Sequence, residues 1–183
     1  PKAVKICQTG DTSAKNCVEL TNHAKDLGYD MAIILTPYLE AHGEPGIYNF
    51  YKYVAERTDI ALALYNSGCT GFTFSPQFVA KVTKEIPAIC AVKNATTILP
   101  ESIMMVKLTN HSVVVWDAGI NGWFNGVMER GLIDPILMGM FCFLLMTPEK
   151  PVMRQFWNMV TTGKYTEAVN FYYDSHLSDL IAL

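Results

Sequence analysis

The feature that most constrains this chain is a regular alternation of short apolar runs with longer amphipathic stretches. Each run has the length of a β-strand and is apolar throughout, which is typical of strands covered on both faces of a parallel sheet. The stretches between the runs have helical spacing. The alternation therefore predicts an α/β fold made of βα units. The predicted strands span residues 3–7, 31–35, 60–64, 88–92, 113–116 and 136–140.

Capping residues and glycines mark where the intervening helices begin and end. Ser13 offers N-cap chemistry before a helix that stops at Gly28. Ser75 and Pro76 open another helix, because Pro suits the first helical position. The whole chain, residues 1–183, is predicted to form one domain. The remaining helices are expected over about 48–56, from Pro100 onward, and over about 119–130, 149–161 and 164–181.

Two folds fit this order of elements, a doubly wound open sheet and a (β/α) barrel. No GxGxxG sequence follows the first strand, which argues against the dinucleotide-binding form of the open sheet. Polar and reactive residues follow the strands, as they do at the mouth of a barrel. These two observations favour a TIM (β/α)8 barrel, of which this chain supplies about six units.

The composition argues against several classes of partner. The net charge is −3 without any cluster of Lys or Arg, so neither nucleic acid nor an anionic membrane is favoured. The longest apolar run, residues 136–146, is too short to span a bilayer. Five cysteines without paired spacing predict no disulfides and no zinc site, and hence a cytoplasmic location. Half of the residues are hydrophobic, which predicts surfaces buried in a homo-oligomer.

Two residues at the ends of neighbouring strands suggest a reaction. Lys93 follows the apolar run 88–92, and apolar neighbours favour the neutral amine, which can attack a carbonyl and form a Schiff base. Tyr65 ends the preceding strand, and its phenol can move protons to and from the resulting adduct. Either residue alone would be read as an ordinary strand-end Lys or a core aromatic. Together they predict a catalytic pair.

An ordered set of short motifs carries a family resemblance. Its members are Thr36-Pro37-Tyr38, Leu64-Tyr65-Asn66, Thr70-Gly71, Ser75-Pro76 and Ala91-Val92-Lys93-Asn94-Ala95-Thr96. The set resembles the dihydrodipicolinate synthase and N-acetylneuraminate lyase superfamily, from about residue 4 to residue 115 and again near 163–168. The resemblance implies a (β/α)8 barrel in which this chain supplies strands three to eight and the start of the C-terminal helices.

The resemblance also implies a class I aldolase or lyase in which Lys93 forms the Schiff base and Tyr65 transfers protons. The implied substrates are pyruvate or another 2-oxo acid, together with an aldehyde. No metal or organic cofactor is implied, and a homodimer or homotetramer is expected. The residues predicted to bind substrate are Thr36, Tyr38, Asn66, Asp117 and Ile136.

The chain departs from the family pattern at four places. No Gly-Thr-Thr-Gly-Glu segment is present, and the loop at 67–69 lacks the Arg that precedes Thr-Gly in the synthases. Leu39 stands where the synthases have a second Tyr, and residues 116–145 diverge. Without the Arg clamp for a carboxylated aldehyde, dihydrodipicolinate synthesis itself is not expected.

Three interpretations of function remain open. The first is a lyase or aldolase that acts on a 2-oxo acid. The second is a hydratase-aldolase with an aromatic aldehyde, which would require some of the nearby aromatic side chains to face the site rather than the core. The third is a non-catalytic barrel with a structural or regulatory role. The aromatic residues concerned are Phe72, Phe74, Trp116, Trp123 and Phe141.

Overall fold

The structure is a computed structural model. It describes residues 3–38, 43–96, 98–119, 124, 126–128 and 147–176. In these segments no helix combines the length and the hydropathy needed to cross a bilayer.

Within the described segments, strands and helices alternate through the first two thirds of the chain, and two further helices with described bounds lie near its end. A single 3-10 turn, Gly68–Thr70, follows the third strand. The strands are β1 (Ile6–Gln8), β2 (Met31–Leu35), β3 (Ala61–Asn66), β4 (Ile89–Asn94) and β5 (Val114–Asp117). The helices are α1 (Ala14–Asp26), α2 (Glu44–Ala55), α3 (Pro76–Glu85), α4 (Leu99–Leu108), α5 (Val152–Thr161) and α6 (Tyr165–Asp174).

The helix signals in the sequence act as predicted at α1 and α3. The Ser13 side chain accepts a hydrogen bond from the Asn16 amide at the start of α1, and Ser75 accepts one from the Phe78 amide at the start of α3. Each bond satisfies one of the amides that a helix leaves unpaired in its first turn. Gly28 ends α1 with a φ of 77°, a left-handed conformation that glycine adopts without steric cost.

The five described strands form one parallel sheet in the order β1-β2-β3-β4-β5. Strands that are neighbours in both sequence and space place all their connecting helices on one side of the sheet, whereas a doubly wound sheet needs a reversal of strand order. The described strands contain no such reversal. Their order is the one found in a (β/α) barrel.

The two faces of the sheet have separate apolar clusters. On the helix-facing side, alternate strand residues such as Ile34, Leu64 and Val92 pack with buried residues of α2, α3 and α4. The opposite side, here called the inner face, has a small cluster made only of strand residues: Ile33, Ala63, Ala91 and Trp116. This division is expected when every helix covers the same side of the sheet.

The predicted boundaries differ from the structure at several elements. β3 and β4 each run two residues farther than predicted, and so include Tyr65–Asn66 and Lys93–Asn94 in the ladder. β1 begins at Ile6 rather than at residue 3, and α2 begins at Glu44 rather than near residue 48. The predicted strand at 136–140 and most of the predicted helix at 119–130 lie outside the described residues.

Candidate active site

The ends of β3 and β4 bring Lys93 and Tyr65 together on the inner face. Lys93 Nζ donates a hydrogen bond of 3.0 Å to Tyr65 Oη. The same nitrogen lies 4.1 Å from the centroid of the Tyr65 ring. Both side chains are half-buried. The amine therefore leans toward β3 and touches both the phenol oxygen and the face of its ring.

Strand pairing explains why these two residues meet. Tyr65 lies opposite Lys93 in the β3–β4 ladder, and Lys93 lies opposite Trp116 in the β4–β5 ladder. Leu35 of β2 lies opposite Tyr65 and completes a row across four strands. Residues paired across parallel strands point to the same side of the sheet. The row is therefore Leu35, Tyr65, Lys93, Trp116, with the reactive pair at its centre.

The surface beneath the pair is apolar. Two residues back along each strand, on the same face, lie Ile33, Ala63 and Ala91, and these pack with the indole of Trp116. Tyr65 packs against the edge of this cluster. A polar pair therefore projects from an apolar base, where water competes less for its hydrogen bond.

The residues next to Tyr65, Lys93 and Trp116 point to the helix-facing side and form a buried polar network. Asn66 Nδ2 donates to Asn94 Oδ1 at 2.8 Å, and Asn94 Nδ2 donates to Ser102 Oγ at 2.8 Å. Ser102 Oγ donates in turn to Asp117 Oδ2 at 2.7 Å. All four side chains, from Asn66 to Asp117, are at most 1% exposed. The network links the ends of β3, β4 and β5 to α4.

The orientation of the side-chain amides in the polar network follows from the hydrogen bond between the Phe74 amide and Asn66. The Phe74 amide donates to Asn66 Oδ1 at 2.7 Å, so Nδ2 of Asn66 must be the group that points to Asn94. The same reasoning orients the Asn94 amide and leaves the Ser102 hydroxyl to donate to Asp117. The Gly119 amide donates to the other carboxylate oxygen at 2.8 Å. Burial raises the pKa of Asp117, and the two hydrogen bonds from Ser102 and Gly119 oppose that rise.

The structure separates the residues that the sequence grouped as one site. Lys93 and Tyr65 lie together, whereas Asn66 and Asp117 lie on the opposite side of the sheet with their polar atoms occupied by the polar network. Thr36 follows β2 and is buried, and its Oγ1 has no hydrogen-bond partner among the described residues. Tyr38 is 51% exposed. The predicted binding residue Ile136 lies outside the described residues.

The aromatic residues near the site divide in the same way. Phe74 is buried in the helix-layer core against Tyr51 and Phe78, and Phe72 packs on the same core. Of the three predicted aromatic residues that the structure describes, Phe72, Phe74 and Trp116, only Trp116 lies on the inner face beside Lys93. Trp123 and Phe141 lie outside the described residues.

Sequence reasoning missed Asn94 and Ser102, which complete the polar network. Asn94 directly follows Lys93, and its place after a reactive strand-end residue was the available signal. Ser102 lies in α4 and has no such signal, because only the packing of that helix on the sheet brings it to Asp117. In the described part of the chain, no group of three or more His, Cys, Asp or Glu side chains could hold a metal ion.

Comparison with known proteins gives a consistent sequence family. The sequence model of the dihydrodipicolinate synthetase family matches residues 2–172. The 4-hydroxy-tetrahydrodipicolinate synthase of Methanothrix thermoacetophila is 36% identical over 105 residues, which are 57% of this chain and 35% of that protein. The enzyme of the same name from Fervidobacterium nodosum is 32% identical over 136 residues, 73% of this chain and 47% of that protein. The matched segments thus span less than half the length of these relatives.

Solved structures give the same fold. The chloride-inhibited dihydrodipicolinate synthase of Acinetobacter baumannii, complexed with pyruvate, superposes with a TM-score of 0.79 and 26% identity. The superposition covers 91% of this chain and 55% of that one. Dihydrodipicolinate synthase from Aquifex aeolicus superposes with a TM-score of 0.80 and 24% identity, over 96% of this chain and 57% of that one. The likeness extends over most of this chain and about half of each solved structure.

Proposed function

Since the chain belongs to the dihydrodipicolinate synthetase family, we propose that it is a Schiff-base-forming lyase or aldolase that acts on pyruvate or another 2-oxo acid. The observation that carries this proposal is the 3.0 Å hydrogen bond between Lys93 Nζ and Tyr65 Oη at adjacent strand ends. The likeness to a synthase structure that contains pyruvate supports the choice of substrate. The residues described here belong to part of that family's (β/α)8 barrel.

The first step forms the covalent adduct. The neutral amine of Lys93 attacks the carbonyl carbon of the 2-oxo acid, and the carbonyl electron pair moves to oxygen. One proton then passes from the attacking nitrogen to that oxygen, which gives a neutral carbinolamine. The resulting carbinolamine loses its hydroxyl as water, and the nitrogen–carbon double bond of the iminium forms. The 4.1 Å contact between Nζ and the Tyr65 ring holds the amine at one position while this happens.

Tyr65 is the proposed proton carrier. Its hydroxyl hydrogen-bonds the reacting nitrogen directly, and so lies within reach of the oxygen that must be protonated before it leaves as water. The phenol gives up its proton at this step and recovers one when the adduct is hydrolysed. A positioned proton carrier of this kind typically contributes about 10²–10⁴-fold to the rate.

The iminium then serves as the electron sink for bond making or breaking. Loss of a proton from the carbon next to it gives an enamine, which can add to the carbonyl carbon of an aldehyde, and water then releases the product from Lys93. The reverse order cleaves the same carbon–carbon bond. The chemistry needs no metal ion and no organic cofactor.

The remaining predicted residues have supporting roles in the proposal. Thr36 and Tyr38 follow β2 at the same edge of the sheet as the reactive pair, and we keep them as substrate-binding candidates. Asn66 and Asp117 instead hold the strand ends through the polar network, so we assign them to positioning. Ile136, a cytoplasmic location, a single domain over 1–183 and a homodimer or homotetramer stay predictions from the sequence.

Reductive trapping tests the proposal. The full chain is incubated with pyruvate and borohydride, which reduces an iminium to a stable amine, and peptide mapping then locates the label by mass. We expect one N-carboxyethyl group on Lys93. Lys93→Ala removes the label, whereas Lys107→Ala, an exposed lysine on α4, leaves it unchanged.

A second variant tests the proton carrier. Tyr65→Phe should slow trapping by about 10²–10⁴-fold while leaving the fold intact. A folded wild-type chain that takes up no label would overturn the enzyme proposal and favour a non-catalytic structural or regulatory role. Labelling by pyruvate followed by turnover only with an aromatic aldehyde would identify a hydratase-aldolase.

A further inference from the structure

Trp116 has a place in the site that the proposed reaction does not use. It lies opposite Lys93 in the β4–β5 ladder and on the same face of the sheet. Neighbouring strands are about 4.8 Å apart, so the indole starts one strand spacing from the backbone of the reactive lysine. Trp116 is therefore an immediate neighbour of Lys93 on the side away from Tyr65.

The position of the lysine amine makes this neighbour important. Nζ leans toward β3 and lies against Tyr65, at 3.0 Å from the hydroxyl and 4.1 Å from the ring centroid. The phenol thus covers the amine on one side. A carbonyl carbon must approach Nζ from a direction that Tyr65 leaves open. Trp116 lies beside this approach, since it starts on the next strand away from Tyr65 and its indole packs over the apolar residues beneath the pair.

The indole is held firmly in that place. It is 8% exposed and packs with Ile33, Ala63 and Ala91, two of which are alanines that leave room for a large ring. The next residue, Asp117, is fixed by hydrogen bonds from Ser102 and the Gly119 amide. A side chain that is packed below and anchored through its neighbour cannot swing away at small cost.

We infer that Trp116 determines substrate size: it limits the group carried by the carbonyl carbon of the 2-oxo acid and so favours pyruvate over longer or branched 2-oxo acids. This inference rests on the proposed Schiff-base chemistry at Lys93. In this inference the indole restricts the 2-oxo acid, since a buried indole occupies space instead of lining an open cleft for a bulky aromatic partner.

The size of the effect follows from how well an apolar wall rejects an extra group. One methylene in an apolar pocket typically changes the specificity ratio by about 10–200-fold. We therefore expect the wild-type chain to trap pyruvate at least about 10-fold faster than 2-oxobutyrate, and 3-methyl-2-oxobutyrate more slowly still. Trp116→Ala should lower each ratio by about 10-fold or more.

The experiment compares rates of borohydride trapping on Lys93 for these three acids in four full-length chains. They are the wild type, Trp116→Ala, Trp116→Leu and Trp157→Ala. Trp116→Leu keeps an apolar filling if the alanine variant does not fold. Trp157 is a half-buried tryptophan on α5, outside the inner-face cluster, so its variant should retain the wild-type ratios.

The outcomes separate the two proposals. If pyruvate labels the wild type, two results would overturn the size inference and leave the Schiff base intact. In the first, the ratios of trapping rates are unchanged in both Trp116 variants. In the second, Trp157→Ala changes these ratios as much as the Trp116 variants do. Labelling only after Trp116 is replaced overturns the inference that Trp116 favours pyruvate, and shows instead that the indole blocks Lys93 from every one of the three acids. No label on Lys93 in any folded chain overturns both.

Discussion

Replacing Ser102 tests whether the polar network behind the reactive pair stabilises the sheet edge. Ser102 is fully buried in α4 and is the only member of the network contributed by a helix. It accepts from Asn94 Nδ2 at 2.8 Å and donates to Asp117 Oδ2 at 2.7 Å. Ser102→Ala therefore breaks two buried bonds and changes the side-chain volume very little.

The expected loss of stability is large for so small a change. A hydrogen bond to a charged group contributes about 1.5–3 kcal/mol, and a buried donor left without a partner costs about 1–3 kcal/mol. The variant loses a bond to the Asp117 carboxylate and leaves Asn94 Nδ2 without its acceptor. Because a trapped water molecule can restore part of both bonds, we expect Ser102→Ala to lose about 2–4 kcal/mol.

The loss should also depend on pH. Burial raises the pKa of Asp117, and Ser102 opposes that rise, so the substitution raises the pKa further. A raised pKa means that the folded state binds the proton more tightly than the unfolded state, and the stability from this group falls as pH rises through the folded-state value. The penalty of Ser102→Ala should therefore be greater near about pH 7 than near about pH 4.

Urea unfolding monitored by circular dichroism and tryptophan fluorescence measures the effect. Ser112→Ala, at an exposed serine in the turn after α4, is the matched control and should change stability by less than about 0.5 kcal/mol. The reasoning fails if Ser102→Ala costs no more than Ser112→Ala, or if its penalty grows as the pH is lowered. The m-value should stay constant, so that the midpoint reports stability.

Two further predictions concern local packing. Gly10→Ala should destabilise the chain by about 1–3 kcal/mol, because the added Cβ would lie 2.7 Å from the Leu35 backbone nitrogen. The control is Gly68→Ala, whose added Cβ meets nothing within 4 Å. In the same urea assay this control should change stability by less than about 0.5 kcal/mol. In the native chain at about pH 8, a thiol reagent should label the exposed Cys69 before Cys17, since burial raises the pKa of Cys17 to about 11. Equal labelling rates of the two cysteines before denaturant is added would contradict this prediction.

The apolar runs predict the strand boundaries well where polar residues or proline directly flank the run. The run at 31–35 is bounded by Asp30 and by Thr36-Pro37, and β2 spans Met31–Leu35 as predicted. The predicted β3 and β4 end early, because the apolar runs that define them stop at Leu64 and Val92, just before the strand-end residues Tyr65 and Lys93. Both are members of the ladder, since a polar side chain at the open end of a strand can pair its backbone without being buried.

The faces of the strand ends were harder to predict. Tyr65 and Asn66 are adjacent in sequence, and successive side chains of a strand point to opposite faces. The Tyr-Asn motif predicts both side chains at one mouth, whereas the pleat sends Tyr65 to the inner face and Asn66 into the polar network. Period-two alternation could have separated them, had the strand been extended through residue 66.

The meeting of Tyr65 with Lys93 depends on a feature that no local pattern encodes. Leu62 lies opposite Ile89, but Ala63 lies opposite Ala91, so β4 has one extra residue, Cys90, at this point. Without that shift the ladder would pair Tyr65 with Val92, whose side chain belongs to the helix-facing core. Because a one-residue slip exchanges the two faces of a strand, the shift is what brings the phenol to the amine. Deleting Cys90 removes the extra residue and still leaves Tyr65 opposite Lys93, so we expect both this deletion and Cys90→Ala to preserve trapping on Lys93 in the borohydride assay.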